Sequence, residues 1–320
     1  LIGAGNILKM HITGIQRYPD RLTPVALCDL DASRLREAAE YWEIPSCYER
    51  LEDMLSNENL DAVVVMTPSH IRRNILSAIM ETRCPIFCEK PLAETYAEAA
   101  AIAADAEHYG TPLAVNQNLR RHFPFEMAKD IIARGDLGAP RHLTQTVLKN
   151  RRDEGWRLER ERYVMSVMSE HWFDGYRYML GEEPVSVYCR GPEHGRIPAG
   201  GETAVSVILD FPSGTVVNLS ESFASFSSYS HMSLDCEQGM LLMNYDTLTS
   251  IDAEGMTTEH QNPYDKPEAT VSLLLDFCDA VQGGRAALTD ISDNLKTMRV
   301  LEAAYLSLAE KRPVTMEEIQ

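Results

Sequence analysis

Short β-branched runs separated by segments of helical period fill the first third of the chain. Leu1-Ile2 reads as the tail of a first strand, with further residues expected ahead of it, and residues 25–28 form a second strand. Asp31 stands where it can cap a helix whose apolar positions Leu35, Ala38, Ala39 and Trp42 share one face at i, i+3, i+4 and i+7. Residues 62–66 are continuously apolar, as a strand covered on both faces of a parallel sheet must be. A helix over 71–80, a strand over 86–88, a long Ala-rich helix opened by Thr95-x-x-Glu98 and stopped at Gly110, and a strand over 113–115 complete the series. Strands alternating with helices need right-handed crossovers and predict a doubly wound parallel sheet.

After Asn118 the pattern changes. A helix over 123–134 ends at Gly135. Alternating or β-branched segments follow at 141–148, 185–189, 204–209, 215–220, 231–236 and 240–243, broken by turns such as Pro212-Ser213-Gly214. A helix over 164–180 interrupts them, and two more, over 273–281 and 295–309, end the chain. Runs of strands without alternating helices predict an α+β domain on a largely antiparallel open sheet. The expected division is a dinucleotide-binding domain over 1–119 and a second domain over 120–320, an α/β protein overall.

The 320 residues are 44% apolar and 24% charged, enough for two buried cores, and no apolar run is long enough to cross a bilayer. Thirty Lys+Arg against 48 Asp+Glu give a net charge of −18, which repels phosphate backbones and anionic lipid surfaces. Nucleic-acid and membrane partners are therefore disfavoured. A dinucleotide is not, since helix N-termini and backbone amides bind phosphate locally. Seven scattered cysteines (Cys28, Cys47, Cys84, Cys88, Cys189, Cys236, Cys278) form neither a CxxC pair nor a Cys/His cluster at zinc spacing. They read as buried thiols in a reducing cytoplasm, with no structural metal.

Candidate chemistry lies at the strand ends. Gly3-Ala4-Gly5-Asn6-Ile7-Leu8 follows the first strand and precedes a helix. In a dinucleotide fold the first Gly permits the tight turn and the second lets backbone approach the pyrophosphate; Leu8 stands where a third Gly is usual. An ordinary strand-to-helix turn would explain a lone GxG. Asp29, at the end of the second strand, strengthens the dinucleotide reading: its carboxylate suits ribose hydroxyls and repels a 2′-phosphate, favouring NAD over NADP. Thr67-Pro68-Ser69-His70 and Glu89-Lys90-Pro91-Leu92-Ala93 follow two further strands, at the carboxyl ends where open α/β sheets bind ligands. Taken singly, Lys90 would be a solvated surface residue, although Pro91 restricts its backbone and can support a cis bond.

These segments, with Asn118-Leu119-Arg120-Arg121-His122-Phe123-Pro124, the Gly135 to Leu143 stretch, His171-x-x-Asp174 followed by Gly181, and Ala304-Tyr305-Leu306-Ser307, occur in one order along the chain. In that order the sequence resembles the Gfo/Idh/MocA oxidoreductases. The resemblance implies a Rossmann domain, then a domain whose open sheet makes homo-dimer or homo-tetramer contacts. It further implies hydride transfer between a nicotinamide and a secondary hydroxyl of a sugar, cyclitol or glycoside. Lys90 and His171 match the family's catalytic lysine and active-site histidine. Cofactor contacts are implied for Gly3, Gly5, Asn6, Ile7, Asp29, Thr67, Pro68, His70, Glu89, Lys90 and Gln117, and substrate contacts for Arg120, Asn150, Arg157 and Asp174. One departure stands out: many members carry Asp four residues before the histidine, and here Val167 occupies that place. On a helix Val167 and Met168 share the face of His171, and Asp174, at i+3, is placed either to orient the imidazole or to make a helix-surface or interdomain contact. This departure leaves a non-catalytic dinucleotide or sugar-binding regulator as an alternative, against which the retention of Lys90 and His171 counts, and an NAD-dependent glycosidase is a third class.

Overall fold

The computed structural model describes residues 1–155, 158–193 and 195–320. In chain order its first part contains α1 (Leu8–Ile15), β1 (Ala26–Cys28), α2 (Ala32–Tyr41), β2 (Ser46–Tyr48), α3 (Leu51–Asn57), β3 (Val63–Val65), α4 (Ser69–Met80), β4 (Ile86–Cys88), α5 (Tyr96–Tyr109) and β5 (Leu113–Val115). β1 pairs in parallel with β2, and β3, β4 and β5 pair in parallel in that order. Ile2 joins the two groups by parallel bridges to Cys28 and Val65, so the chain's first residues lie at the centre of a doubly wound sheet. Every residue of β1, β3, β4 and β5 is buried, as continuous apolar runs require when helices cover both faces. Asp31 caps α2 by accepting from the amides of Ser33 and Arg34, Thr95 caps α5 by accepting from Glu98 N, and Gly110 ends α5 in the left-handed region.

The second part runs through a 3₁₀ turn (Asn118–Arg121), α6 (Phe123–Arg134) and β6 (Pro140–Asn150). A π-helical turn (Met165–Ser169) then leads into α7 (Glu170–Leu180), followed by β7 (Ser186–Arg190), β8 (Ala204–Asp210), β9 (Val216–Ser222), β10 (Ala224–Cys236), β11 (Gly239–Met243), β12 (Leu248–Asp252) and β13 (Thr257–His260). The chain closes with α8 (Lys266–Gly283), α9 (Ile291–Glu310) and β14 (Val314–Thr315). Nine strands form one mixed sheet in the order β13-β12-β11-β10-β6-β9-β8-β7-β14. All neighbours are antiparallel except β6 and β9. Residues alternate across it: Val205, Val207 and Leu209 of β8 are buried, while Ser206, Ile208 and Asp210 face outward. One face thus belongs to the core and the other is open.

Leu1–Asn118 and Asp265–Leu295 make one compact unit, and Leu119–Tyr264 and Lys296–Gln320 make the other. The contiguous division expected from sequence does not include this return of the chain. Its physical basis is α8, whose Val271, Leu273, Leu274 and Phe277 join Leu8, Ile12, Ile15 and Phe87 in one core. Gly14 of α1 permits the approach, since a Cβ there would lie 2.7 Å from the Pro267 carbonyl oxygen and 2.8 Å from Val271 Cβ. Ion pairs of Arg17 with Asp265 and of Arg21 with Asp279 line the same contact.

All seven cysteines are free thiols, but only Cys28, Cys84, Cys88 and Cys189 are buried; Cys47 on β2 is exposed, correcting the uniform burial expected. β2 carries no fully buried residue, which is how its single thiol reaches the surface. Among the described residues, no group of His, Cys, Asp and Glu is arranged to hold a metal, and no helix is long and apolar enough to cross a membrane.

Candidate active site

In the first unit the glycine turn is shaped by two different demands. Gly3 has φ +101°, and a Cβ there would sit 3.2 Å from the carbonyl carbon and oxygen of Met66, so only glycine fits between the first strand and β3. Gly5 is not strained; a Cβ there would meet nothing within 4 Å, so its absence keeps backbone open to an approaching group. The turn delivers the chain to α1, which has no side-chain cap and whose flanking Asn6 and Ile7 are exposed. Such a helix start offers amide donors and the positive end of a dipole to phosphate.

Asp29, at the end of β1, accepts from the Ala4 amide at 2.7 Å and from the Asp31 amide at 2.9 Å, and the Arg34 guanidinium lies 3.9 Å away. Its carboxylate is therefore fixed beside the glycine turn. Thr67, after β3, has a buried hydroxyl oxygen with no hydrogen bond to the protein. An open cradle at Gly5, an uncapped helix start, a fixed carboxylate and an unsatisfied buried hydroxyl fit a dinucleotide. Pro68 is half-buried, His70 exposed and Gln117 buried.

The turn after β4 carries Glu89 and Lys90. Glu89 is buried and takes hydrogen bonds from His11 (2.7 Å) and Asn116 (2.8 Å), while its amide donates to Val65. Burial pushes its carboxyl up, but the His11 and Asn116 hydrogen bonds and nearby Lys90 prevail and hold it below the usual carboxylate value. Glu89 thus braces α1 against the ends of β4 and β5, a task different from the cofactor contact implied for it. Lys90 is half-buried, and its peptide bond to Pro91 is cis. Arg72, on the first turn of α4, is 2% exposed and donates to the carbonyls of Thr67, Glu89 and Pro91. Neither His11 nor Arg72 carries a sequence signal; each falls on an otherwise ordinary helix.

In the second unit His171 is half-buried near the start of α7. A π-helical turn precedes it. Met165–Ser169 forms that turn, with the Glu170 amide donating to the Met165 carbonyl five residues back, so the constant 3.6-residue spacing of a regular α-helix is broken in the stretch that holds Val167. The amides at the start of this helix are satisfied from outside it. Glu202 accepts from the amide of Met165 at 2.7 Å and of Tyr163 at 3.2 Å, and Tyr305 donates to Glu202 at 2.9 Å while accepting from the Ser166 amide at 3.1 Å. Burial pushes the Glu202 carboxyl up against the opposing pull of these amides.

Asp174 does not turn toward His171. Fully buried, it accepts a bidentate pair from Arg120 at 2.7 and 2.6 Å, a bond from Thr297 at 2.8 Å and one from Arg177 at 3.4 Å. Arg120, 4% exposed, is thereby committed to a carboxylate of its own chain. The geometric reason is that i+3 from His171 faces the helix-packed interior, where Arg120 and Arg177 supply the positive charge. Asn150, exposed at the end of β6, donates to the Phe226 carbonyl and accepts from Arg196. Arg157 lies outside the described residues.

Residues 1–117 match the oxidoreductase family with an NAD-binding Rossmann fold, and residues 125–242 match the GFO/IDH/MocA C-terminal domain. D-apiose dehydrogenase of Paraburkholderia graminis is 26% identical over 339 residues, spanning 100% of this chain and 90% of that protein. Myo-inositol 2-dehydrogenase of Thermotoga maritima is 23% identical over 331 residues, spanning 100% and 98%. An oxidoreductase from Agrobacterium radiobacter, solved with NAD+, L-tartaric acid and magnesium, superposes with a TM-score of 0.90 at 21% identity, covering 100% of this chain and 98% of that one. With a dinucleotide-type turn on a doubly wound sheet, a lysine after its fourth strand and a mixed nine-stranded sheet behind, the chain belongs to the Gfo/Idh/MocA family of NAD-binding oxidoreductases.

Proposed function

We propose that the protein moves a hydride between a nicotinamide cofactor and a secondary hydroxyl of a sugar, cyclitol or glycoside. The observation that carries this reading is Lys90, seated on a turn that Arg72 ties to the Thr67 turn within the same unit as the glycine cradle. Gly3, Gly5, Asn6 and Ile7 would hold the pyrophosphate side, Asp29 the adenosine ribose, and the Thr67 and Glu89-Lys90 turns the nicotinamide side. When bound, the nicotinamide supplies the hydride acceptor and donor.

Lys90 donates a hydrogen bond to the reacting oxygen and stabilises charge as the alkoxide develops. His171, whose side-chain type titrates near neutrality, takes the hydroxyl proton in oxidation and returns it in reduction. Asp29 disfavours a 2′-phosphate, so NAD is the preferred cofactor. The open face of the nine-stranded sheet is the surface proposed for homo-dimer or homo-tetramer contacts.

The test is a titration of NAD and NADP by protein fluorescence, then a screen of sugars, sugar acids, cyclitols and glycosides for NADH formation. Saturable NAD binding with turnover of at least one polyol supports the reading. NAD binding with no turnover on any of them would place the protein among regulators, and release of free sugar without net NADH would make it a glycosidase.

A further inference from the structure

We infer that Arg72 is a positioning residue for Lys90, acting through the backbone on either side of it. Arg72 sits on the first turn of α4, where the helix dipole disfavours a cation, and it is almost completely buried, where a guanidinium loses its hydration. Both effects oppose an arginine there. What offsets them is the acceptor set: Nη1 donates to the carbonyls of Glu89 and Pro91, and Nη2 donates to the carbonyl of Thr67.

The residues involved explain why an arginine is used. The Glu89 carbonyl belongs to the peptide plane that leads into Lys90, and the Pro91 carbonyl to the plane that leaves Pro91. One nitrogen bonded to both fixes the entry and exit of the two-residue segment that carries the ammonium. Pro91 contributes a ring-locked φ of its own, so little backbone freedom remains at Lys90. The second nitrogen ties the same clamp to Thr67, so the turns after β3 and β4 are held in one register. A planar fork with five donors can do this; an ammonium, as a point charge, cannot span all three oxygens. Glu89 adds a second restraint through its own bonds to His11 and Asn116.

This inference rests on the catalytic reading of Lys90, and its test separates the two. Arg72→Ala and Arg72→Lys are compared with the parent by kcat, KM for polyol, NAD affinity, thermal melting and the acylation rate of Lys90 followed by peptide mass spectrometry. A misplaced reacting group costs on the order of 10²-fold, so kcat is expected to fall by about that factor in Arg72→Ala and by less in Arg72→Lys. NAD affinity should stay within a few-fold, added guanidinium should restore part of the Arg72→Ala rate, and Lys90 acylation should change in rate. If Arg72→Ala does not fold, Arg72→Lys carries the test. A folded variant with parental kcat and parental Lys90 acylation overturns the inference. Should the parent itself turn over no polyol, the dehydrogenase reading fails, while the acylation rate of Lys90 in the folded variants still decides whether Arg72 positions it.

Discussion

Asp174 offers the sharpest separation between a catalytic and a structural role, because the two predict different observables for one substitution. Its carboxylate is fully buried and answers Arg120 through two bonds of 2.7 and 2.6 Å, with Thr297 at 2.8 Å and Arg177 at 3.4 Å. In Asp174→Asn one acceptor oxygen becomes an amide NH2 that faces the Arg120 fork donor to donor. Arg177 retains Glu183 at 2.5 and 2.8 Å, so most of the loss falls on Arg120, whose side chain is 5% exposed. Breaking a buried pair by removing one charge costs about 3–5 kcal/mol. For a body of this size, about 2–4 °C of melting temperature accompanies each kcal/mol, which gives a fall of roughly 6–20 °C. Differential scanning calorimetry on the parent and on Asp174→Asn reads it directly, and kcat measured well below both transitions should stay within a few-fold. A variant that melts within about 2 °C of the parent but loses kcat by one to two orders of magnitude would refute this account and restore an imidazole-orienting role.

Lys90→Ala is expected to remove most of kcat while NAD affinity stays within a few-fold, since the lysine is assigned to charge that develops only in the transition state; single-turnover kinetics with an NAD titration check it. Asp29→Ser should narrow or reverse the preference of NAD over NADP, because the fixed carboxylate beside Ala4 and Asp31 is what disfavours a 2′-phosphate; parallel titrations in which the parent prefers NADP would exclude that. Glu89 predicts a pH dependence of stability. Its folded-state pKa lies below the usual 4.5, so its contribution is present above that value and is lost as the pH falls through the lower, folded one. The parent's melting temperature should therefore fall more steeply below about pH 4.5 than that of Glu89→Gln, and equal slopes would count against the bracing role.

How much of the fold was legible depends on how much apolar pattern each element carries. β4 and β5 coincide with the runs 86–88 and 113–115, and α6 with its Gly135 stop, because full burial or a left-handed glycine leaves its mark in the residues themselves. β2, α3 and β13 leave no such mark: Ser46–Tyr48 has no fully buried residue, Leu51–Asn57 buries only Met54, and three of the four residues in Thr257–His260 are exposed. The return of α8 to the first unit was equally silent. Nothing in the residues 266–283 says which body their apolar stripe serves; that is decided by a partner surface opened at Gly14, far away in the chain.

The candidate site shows the same limit at the level of single atoms. Strand-end position brought Gly3, Asp29, Thr67 and Lys90 to notice, since in an open parallel sheet the ends of adjacent strands lie together whatever the intervening sequence. Direction was beyond that logic. A helical wheel drawn through residues 164–180 assumes a constant 3.6-residue turn, and one π-helical turn at Met165–Ser169 breaks it just ahead of His171. Such a turn is not written in its own residues. At its start Glu202 and Tyr305, arriving from before β8 and from α9, satisfy the amides of Tyr163, Met165 and Ser166 that a helix start leaves without an intrahelical partner. A missing acid four residues before His171 therefore says less about chemistry than a wheel suggests, because the constant spacing the wheel assumes does not run through the π-helical turn that contains Val167.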